Sequence, residues 1–156
     1  FLFSNGNHRL PRSHIDIKEI KLYFNPYVVL ETKNFFVLRY SFDSKATIAL
    51  TDKNSWKSYS TNMESGNAVI GTSYIGGIIN DLDGGARFQP ENYFVEGNRE
   101  YLVGLINAFL IKALLANNDF KNYLPKYPLK KKELENLAAQ LAETDNQILM
   151  IVRLKK

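Results

Sequence analysis

The pattern of apolar and polar positions changes character along the chain. Up to Pro90 the apolar residues come in short runs separated by turn chemistry; beyond it they gather into longer blocks. Ile15, Ile17, Ile20, Leu22 and Phe24 lie among polar residues and predict a strand with one slip in its alternation, as a bulge would produce. Asn25-Pro26 stops it. The runs at 27–30, 35–42 and 46–50 are rich in β-branched and aromatic residues, and Asp43-Ser44-Lys45 is a hairpin-length connection between the last two. Thr51-Asp52-Lys53-Asn54-Ser55 is a further turn before a fourth run at 56–60. Such spacing predicts antiparallel meanders of about four strands. The passage 70–79 still reads as strand, with Gly66, Gly71, Gly76 and Gly77 allowing bends or close backbone approach.

Beyond Pro90, residues 99–116 predict a helix that is apolar on nearly all sides and so lies under other structure, burying Leu102, Leu105, Ile106 and Phe109. Asn117-Asn118-Asp119 ends it. Pro125 and Pro128 lead into a second helix over 130–142, with an apolar stripe of Leu134, Leu137, Ala138 and Leu141. Thr144-Asp145-Asn146 turns the chain, and 148–154 is a final, almost continuously apolar strand of the kind buried on both faces. The expected organisation is a β-meander region over 1–90, then a helical pair plus closing strand over 91–156 in the same domain.

Composition narrows the function classes. The 156 residues are 45% hydrophobic and 13% aromatic, ample for a packed core. The net charge of +4 is mild, so it tolerates an anionic partner without demanding one, and nucleic acid is disfavoured. The absence of cysteine removes disulfides, thiolate metal sites and cysteine nucleophiles together. The longest apolar stretch, 101–116, carries Asn107 and Lys112 and falls short of the roughly 20 residues a bilayer span needs. The opening Phe1-Leu2-Phe3-Ser4 has no initiator methionine and no signal-peptide pattern. It predicts the end of a strand, truncated upstream, running into the turn Ser4-Asn5-Gly6-Asn7.

Candidate chemistry is sparse. Asp81-Leu82-Asp83-Gly84-Gly85 sets two carboxylates two apart before glycines, as at the opening of a calcium loop. Counted from Asp81, the fifth position is Gly85 and the twelfth is Asn92, so the EF-hand pattern fails. Calcium there would need oxygens from elsewhere, such as Glu91 or Glu96. The competing reading is a structural turn in which Asn80, Gly84 and Gly85 shape the backbone and the aspartates bond nearby amides. No other cofactor is expected. His8 and His14 have no nucleophile or metal-binding motif beside them and read as surface residues. Lys126, Lys130, Lys131 and Lys132 form a basic cluster that Glu133 and Glu135 dilute, so a solvated helix end is preferred to a phosphate-binding patch. Tyr40, Trp56 and Tyr59, with Tyr23, are the aromatics that a ligand such as a sugar would stack on, against the commoner role of cross-strand packing. No glycine arrangement matches a phosphate-binding loop.

Two segments carry a resemblance. Ile78-Ile79-Asn80-Asp81-Leu82-Asp83-Gly84-Gly85, with Phe88 and Pro90 shortly after, and the ending Asp145-Asn146-Gln147-Ile148-Leu149-Met150-Ile151-Val152-Arg153-Leu154-Lys155 resemble the C-terminal portion of the six-bladed, NHL-like β-propeller proteins of Bacteroides-type bacteria. The chain departs from that pattern at Gln147, where the family tends to have proline, and near Phe88, where it tends to have tryptophan. The resemblance implies a mainly β fold: a partial propeller of four-stranded antiparallel blades, with a C-terminal helical pair and a returning strand. It also implies further blades and an export signal upstream, a periplasmic or cell-surface location, and a lipid anchor on that missing segment. The role implied is non-catalytic binding or scaffolding toward a protein, peptide or glycan, with no catalytic residues to carry across. Two rivals stand beside it: a propeller hydrolase or lyase whose metal site is completed by upstream blades, and a self-contained α+β interaction domain.

Overall fold

Alternating β-branched and aromatic residues form strands where turn chemistry lets neighbours pair. In the computed structural model, which describes residues 6–9, 11, 16–65 and 74–155, they do so in two separate antiparallel sheets, neither of them closed. The expected strand end at Phe1-Leu2-Phe3, Ser4 and Asn5 of the turn after it, His14, Ile15, Gly66 and Gly71 lie outside the described residues. The chain divides into two units, 1–77 and 78–155, and Pro90 falls inside the second.

The first unit is a meander. Strands β1 (Asn25–Glu31), β2 (Phe35–Phe42), β3 (Lys45–Asp52), β4 (Ser58–Ser65) and β5 (Tyr74–Gly76) lie side by side in chain order. β2 and β3 pair without interruption from Phe35 opposite Asp52 to Phe42 opposite Lys45. Their link is tighter than the predicted three-residue connection. Asp43 and Ser44 alone make the turn, with φ of 49° and 60°. That left-handed pair matches the twist of the strands it joins.

The register fixes the faces. Val37, Ala46, Ile48 and Met63 are buried on one face of the sheet, with Arg39 among them. In β1 the pairing slips between Pro26 and Val28, leaving Tyr27 as the extra residue of a bulge. Tyr27 comes beneath the Arg39 guanidinium, 5.3 Å from ring centroid to Cζ, and its hydroxyl reaches Met63 Sδ at 3.9 Å. The opposite face carries Phe36, Tyr40 and Phe42. Phe24 lies against Tyr40 at 4.6 Å and His8 meets Phe42 edge-on at 4.8 Å.

One end of this sheet is held by two neighbouring charged residues. Asp52 Oδ1 accepts the Asn54 amide and its Oδ2 the Ser55 hydroxyl, both at 2.8 Å. The turn brings Trp56 round with φ of 57°. Lys53 Nζ donates to Glu31 Oε1 and to the Thr32 carbonyl, each at 2.7 Å, and stands 4.4 Å above the Phe36 ring. Its own amide donates to Asn34 O at 2.8 Å. The β3–β4 turn therefore clamps the β1–β2 turn.

The second unit orders its strands β6 (Asn92–Glu96), β7 (Arg99–Ile106) and β8 (Ile148–Arg153) as written. Helices α1 (Ala108–Ala116), α2 (Asn118–Asn122) and α3 (Pro128–Gln140) lie between β7 and β8 in sequence. Glu100, Leu102 and Gly104 are buried along one side of β7. Phe88 is buried too and bridges to Ile78 through two backbone bonds of 2.9 Å. The other side of the sheet leaves Phe94, Leu105, Leu149 and Ile151 substantially exposed, with Phe94 stacked on Tyr101 at 4.7 Å.

Several expectations are corrected. Residues 17–22 form a 3-10 helix, not a strand. Ile17 and Ile20 stand three apart, the period of that helix, and Asp16 caps it by accepting the Lys18 amide at 3.0 Å. The apolar block 99–116 is a strand followed by a helix, with Asn107 at the junction. An unbroken apolar run satisfies either period, so it hid the change. Leu102 is buried as expected, but in a strand, whereas Leu105 and Phe109 remain exposed. Among the described residues the α-helices number three rather than a pair. The final strand does return to a sheet, but to β7, and it alternates between half-buried and exposed positions instead of being buried on both faces.

The clamp predicts a pH signature. The Asn54 amide and then the Ser55 hydroxyl hold the Asp52 carboxyl below its ordinary pKa, and the Lys53 hydrogen bond does the same for Glu31. A lowered folded-state pKa gives stability that is present above the ordinary carboxylate value, about 4, and lost as pH falls through the lowered one. Carboxyl carbon NMR titration should therefore give midpoints below the ordinary values for both residues. In urea unfolding across the acid range, Asp52→Ala should flatten the fall of stability with pH.

Candidate functional site

The densest turn signal in the sequence folds as a self-bonded turn. Asp83 Oδ1 accepts the Gly85 amide and the Asn80 side-chain amide, each at 2.7 Å. Asn80 Oδ1 accepts the Leu82 amide at 3.2 Å. Gly84 takes φ of 74°, which side chains resist. The ring of Tyr123 also fills the space a Cβ there would occupy. A Cβ at Gly85 would meet Leu134 at 2.6 Å and Asp83 Oδ1 at 2.7 Å. The first half of this turn is seated against the segment before α3: Lys126 donates to Asp81 O at 2.9 Å and Tyr127 to Leu82 O at 3.0 Å.

That segment has its own anchor. Lys131, in the first turns of α3, donates from Nζ to three backbone carbonyls at the end of α2: Phe120 at 2.6 Å, Tyr123 at 2.8 Å and Lys121 at 3.1 Å. The ammonium lies 4.6 Å from the Phe120 ring centroid. A cation at a helix C-terminus meets the carbonyls that have lost their intrahelical donors. Asn117 caps the other end of α2, accepting the Asp119 amide at 2.9 Å. Pro128 opens α3 at a position where no amide is missed.

The residues singled out from sequence are thereby located. Asn80, Asp83, Gly84 and Gly85 act together in the turn, while Asp81 is exposed beside it. Among the described residues, no group of three or more His, Asp or Glu side chains gathers where a metal ion would sit. His8 packs on Phe42, with Nδ1 3.4 Å from Leu22 O. The lysine cluster is divided: Lys131 serves the α2 end, and Lys130 pairs with Glu133 at 2.6 Å.

The aromatic candidates do not converge. Tyr40 and Tyr59 point to opposite faces of the first sheet, since Tyr40 is opposite Thr47 and Tyr59 opposite Leu50. Trp56 and Tyr59, by contrast, are both largely exposed on and just after the β3–β4 turn. Sequence reasoning missed Lys131 and Tyr123 as organisers of the site. The glycine pair was the available signal, since such glycines often admit a close neighbour.

No known family matches this sequence, and neither does any curated protein. The fold is similar to that in the crystal structure of a Bacteroides fragilis protein inferred to be exported, with a TM-score of 0.51 at 20% identity. The match covers 88% of this chain and 32% of that one, so the chain spans about a third of that protein's length. What the two share is a mostly β architecture. Among the described residues, no helix is long and apolar enough to cross a membrane.

Two stability comparisons follow from the turn. Asp83→Ala strands two donors and should cost on the order of 1–3 kcal/mol, whereas Asp81→Ala should change little; urea midpoints of the two variants test this. Gly84→Ala combines left-handed strain with the Tyr123 contact. It should destabilise by more than the roughly 1–2 kcal/mol of strain alone. Gly97→Ala, at φ of 57° with nothing within 4 Å of the added carbon, should show only that strain.

Proposed function

We propose that this chain is a non-catalytic binding or scaffold module, the C-terminal portion of an exported six-bladed β-propeller protein of the NHL-like kind. The observation that carries the reading is the β1–β5 meander, antiparallel strands in chain order as in a propeller blade, with one strand more than the four of a blade. The likeness to a larger protein inferred to be exported, over 88% of the chain, supports it, as do the Asn80–Gly85 and 145–155 segments. In this reading the strands make the scaffold and the loops at one face meet a protein, peptide or glycan. The β3–β4 turn is the favoured contact, because it presents Trp56 and Tyr59 outward while Asp52 and Lys53 fix its backbone.

Nothing in this reading asks these residues to move a proton or attack a bond. Asp83 is engaged in its turn, and His8 has an aromatic neighbour instead of a nucleophile. The location proposed is the periplasm or cell surface.

The test is structural and then functional. An experimental structure of the complete protein should show six blades closed into a ring, with 25–65 inside one of them. An open sandwich, or strands 25–65 outside any ring, would sink the proposal. Glycan and peptide array screening should then yield a binder whose affinity falls at least roughly tenfold with Trp56→Ala. An unchanged affinity would remove the β3–β4 turn as the contact.

A further inference from the structure

The β3–β4 turn keeps a bulky residue in a backbone conformation that suits glycine. Trp56 closes the turn at φ of 57°, with its amide donating to Asp52 O at 2.8 Å. Pairing then resumes, the Asp52 amide donating to Lys57 O at 3.0 Å. A left-handed residue that ends such a turn is commonly glycine, because a Cβ there crowds the backbone. Trp56 is nonetheless 62% exposed, so the core gains little from its ring. Strain of this kind concentrates at binding and catalytic positions. Asp52 holds it in place, since its carboxylate fixes Asn54 and Ser55 immediately before the indole.

The turn offers a ligand a narrow chemistry. The amides of Asp52, Lys53, Asn54 and Trp56 all donate within the protein, which leaves little backbone to pair with an added peptide strand. Asp52 and Lys53 turn their charges to partners inside the chain, and Lys57 is the other ionic residue between 52 and 60. Exposed near Trp56 are Tyr59, at 66%, and the neutral Asn54, Ser58 and Ser60. These combine flat apolar rings with groups that both donate and accept. A sugar ring has the matching surface, with C–H bonds on its face and hydroxyls at its rim. A proline-rich peptide also suits aromatic rings, but its missing N–H groups leave the acceptors here unused.

We propose that the β3–β4 turn binds an uncharged oligosaccharide. Trp56 is the stacking platform, Asn54 and Ser58 meet sugar hydroxyls, and Asp52 is the residue that positions the indole. Because the ring is held before the sugar arrives, less freedom is lost on binding. This rests on the reading of the turn as the contact surface and narrows its ligand to one class. It does not depend on a ring of blades.

Titration of the full chain with neutral oligosaccharides of glucose, mannose, galactose and N-acetylglucosamine tests this through the emission of its single tryptophan. At least one should change that emission saturably, and raised salt should alter its affinity less than about twofold. By calorimetry, Trp56→Ala should lower the affinity at least roughly tenfold. Asp52→Ala, at a temperature where its circular dichroism shows it folded, should weaken binding about tenfold with the indole still present. Asp52→Asn, which still accepts the Asn54 amide, should restore most of that loss. Strain has its own readout: Trp56→Gly should unfold at higher urea than Trp56→Ala, whereas at a negative φ the order reverses. The proposal is overturned if no neutral oligosaccharide binds, or if Trp56→Gly unfolds at no higher urea than Trp56→Ala. A peptide that binds through Trp56 where no sugar does removes the sugar and keeps the turn as a contact surface. A sugar whose affinity Trp56→Ala leaves unchanged removes the turn itself.

Discussion

Strands satisfy one another's backbone amides and carbonyls, but the connections between them must find partners elsewhere. In this protein the partners are charged side chains, and both units use the same pairing. In the first, Asp52 gathers amide and hydroxyl donors within its own turn, while the adjacent Lys53 donates to the Thr32 carbonyl. In the second, Asp83 gathers two amide donors within its turn, while Lys131 donates to three carbonyls of the segment seated against that turn. An acid closes one loop and a lysine ties a neighbouring one.

This division of labour bears on how charge should be read here. Asp83 and Lys131 have the residue types of a metal ligand and a phosphate contact, yet both are occupied with backbone. Around the α2–α3 connection the exposed Lys121, Lys126, Lys130 and Lys132 are balanced by the exposed Asp81, Asp119, Glu133 and Glu135, beside the exposed Leu124 and Leu129. In the first unit the outward features are aromatic, at the β3–β4 turn. The two surfaces differ in chemistry.

Much of the first sheet was legible. β2 coincides with the apolar run 35–42, and the Asp43-Ser44 turn lies inside the connection read from sequence. Local alternation and turn residues specify such hairpins directly. The second unit was harder because its evidence is non-local. The hairpin β6–β7 turns at Gly97, an available signal, but the apolar block after it overwhelmed the reading. α2 is too short to show a period. Lys131 reads as one lysine in a run, and only the folded chain brings three carbonyls to it. For the turn at Asn80–Gly85 the sequence carried both readings, and the bonds on Asp83 are those of the structural one.

The uneven placement of residue types has a practical spectroscopic consequence. Every α-helix among the described residues lies in the second unit, while the chain's single tryptophan, Trp56, lies in the first. Helical ellipticity and indole emission are thus separate gauges within one molecule. If the two units melt together, both signals move at a single midpoint; if they melt apart, the lag between the signals measures how far the cooperativity of one unit reaches into the other.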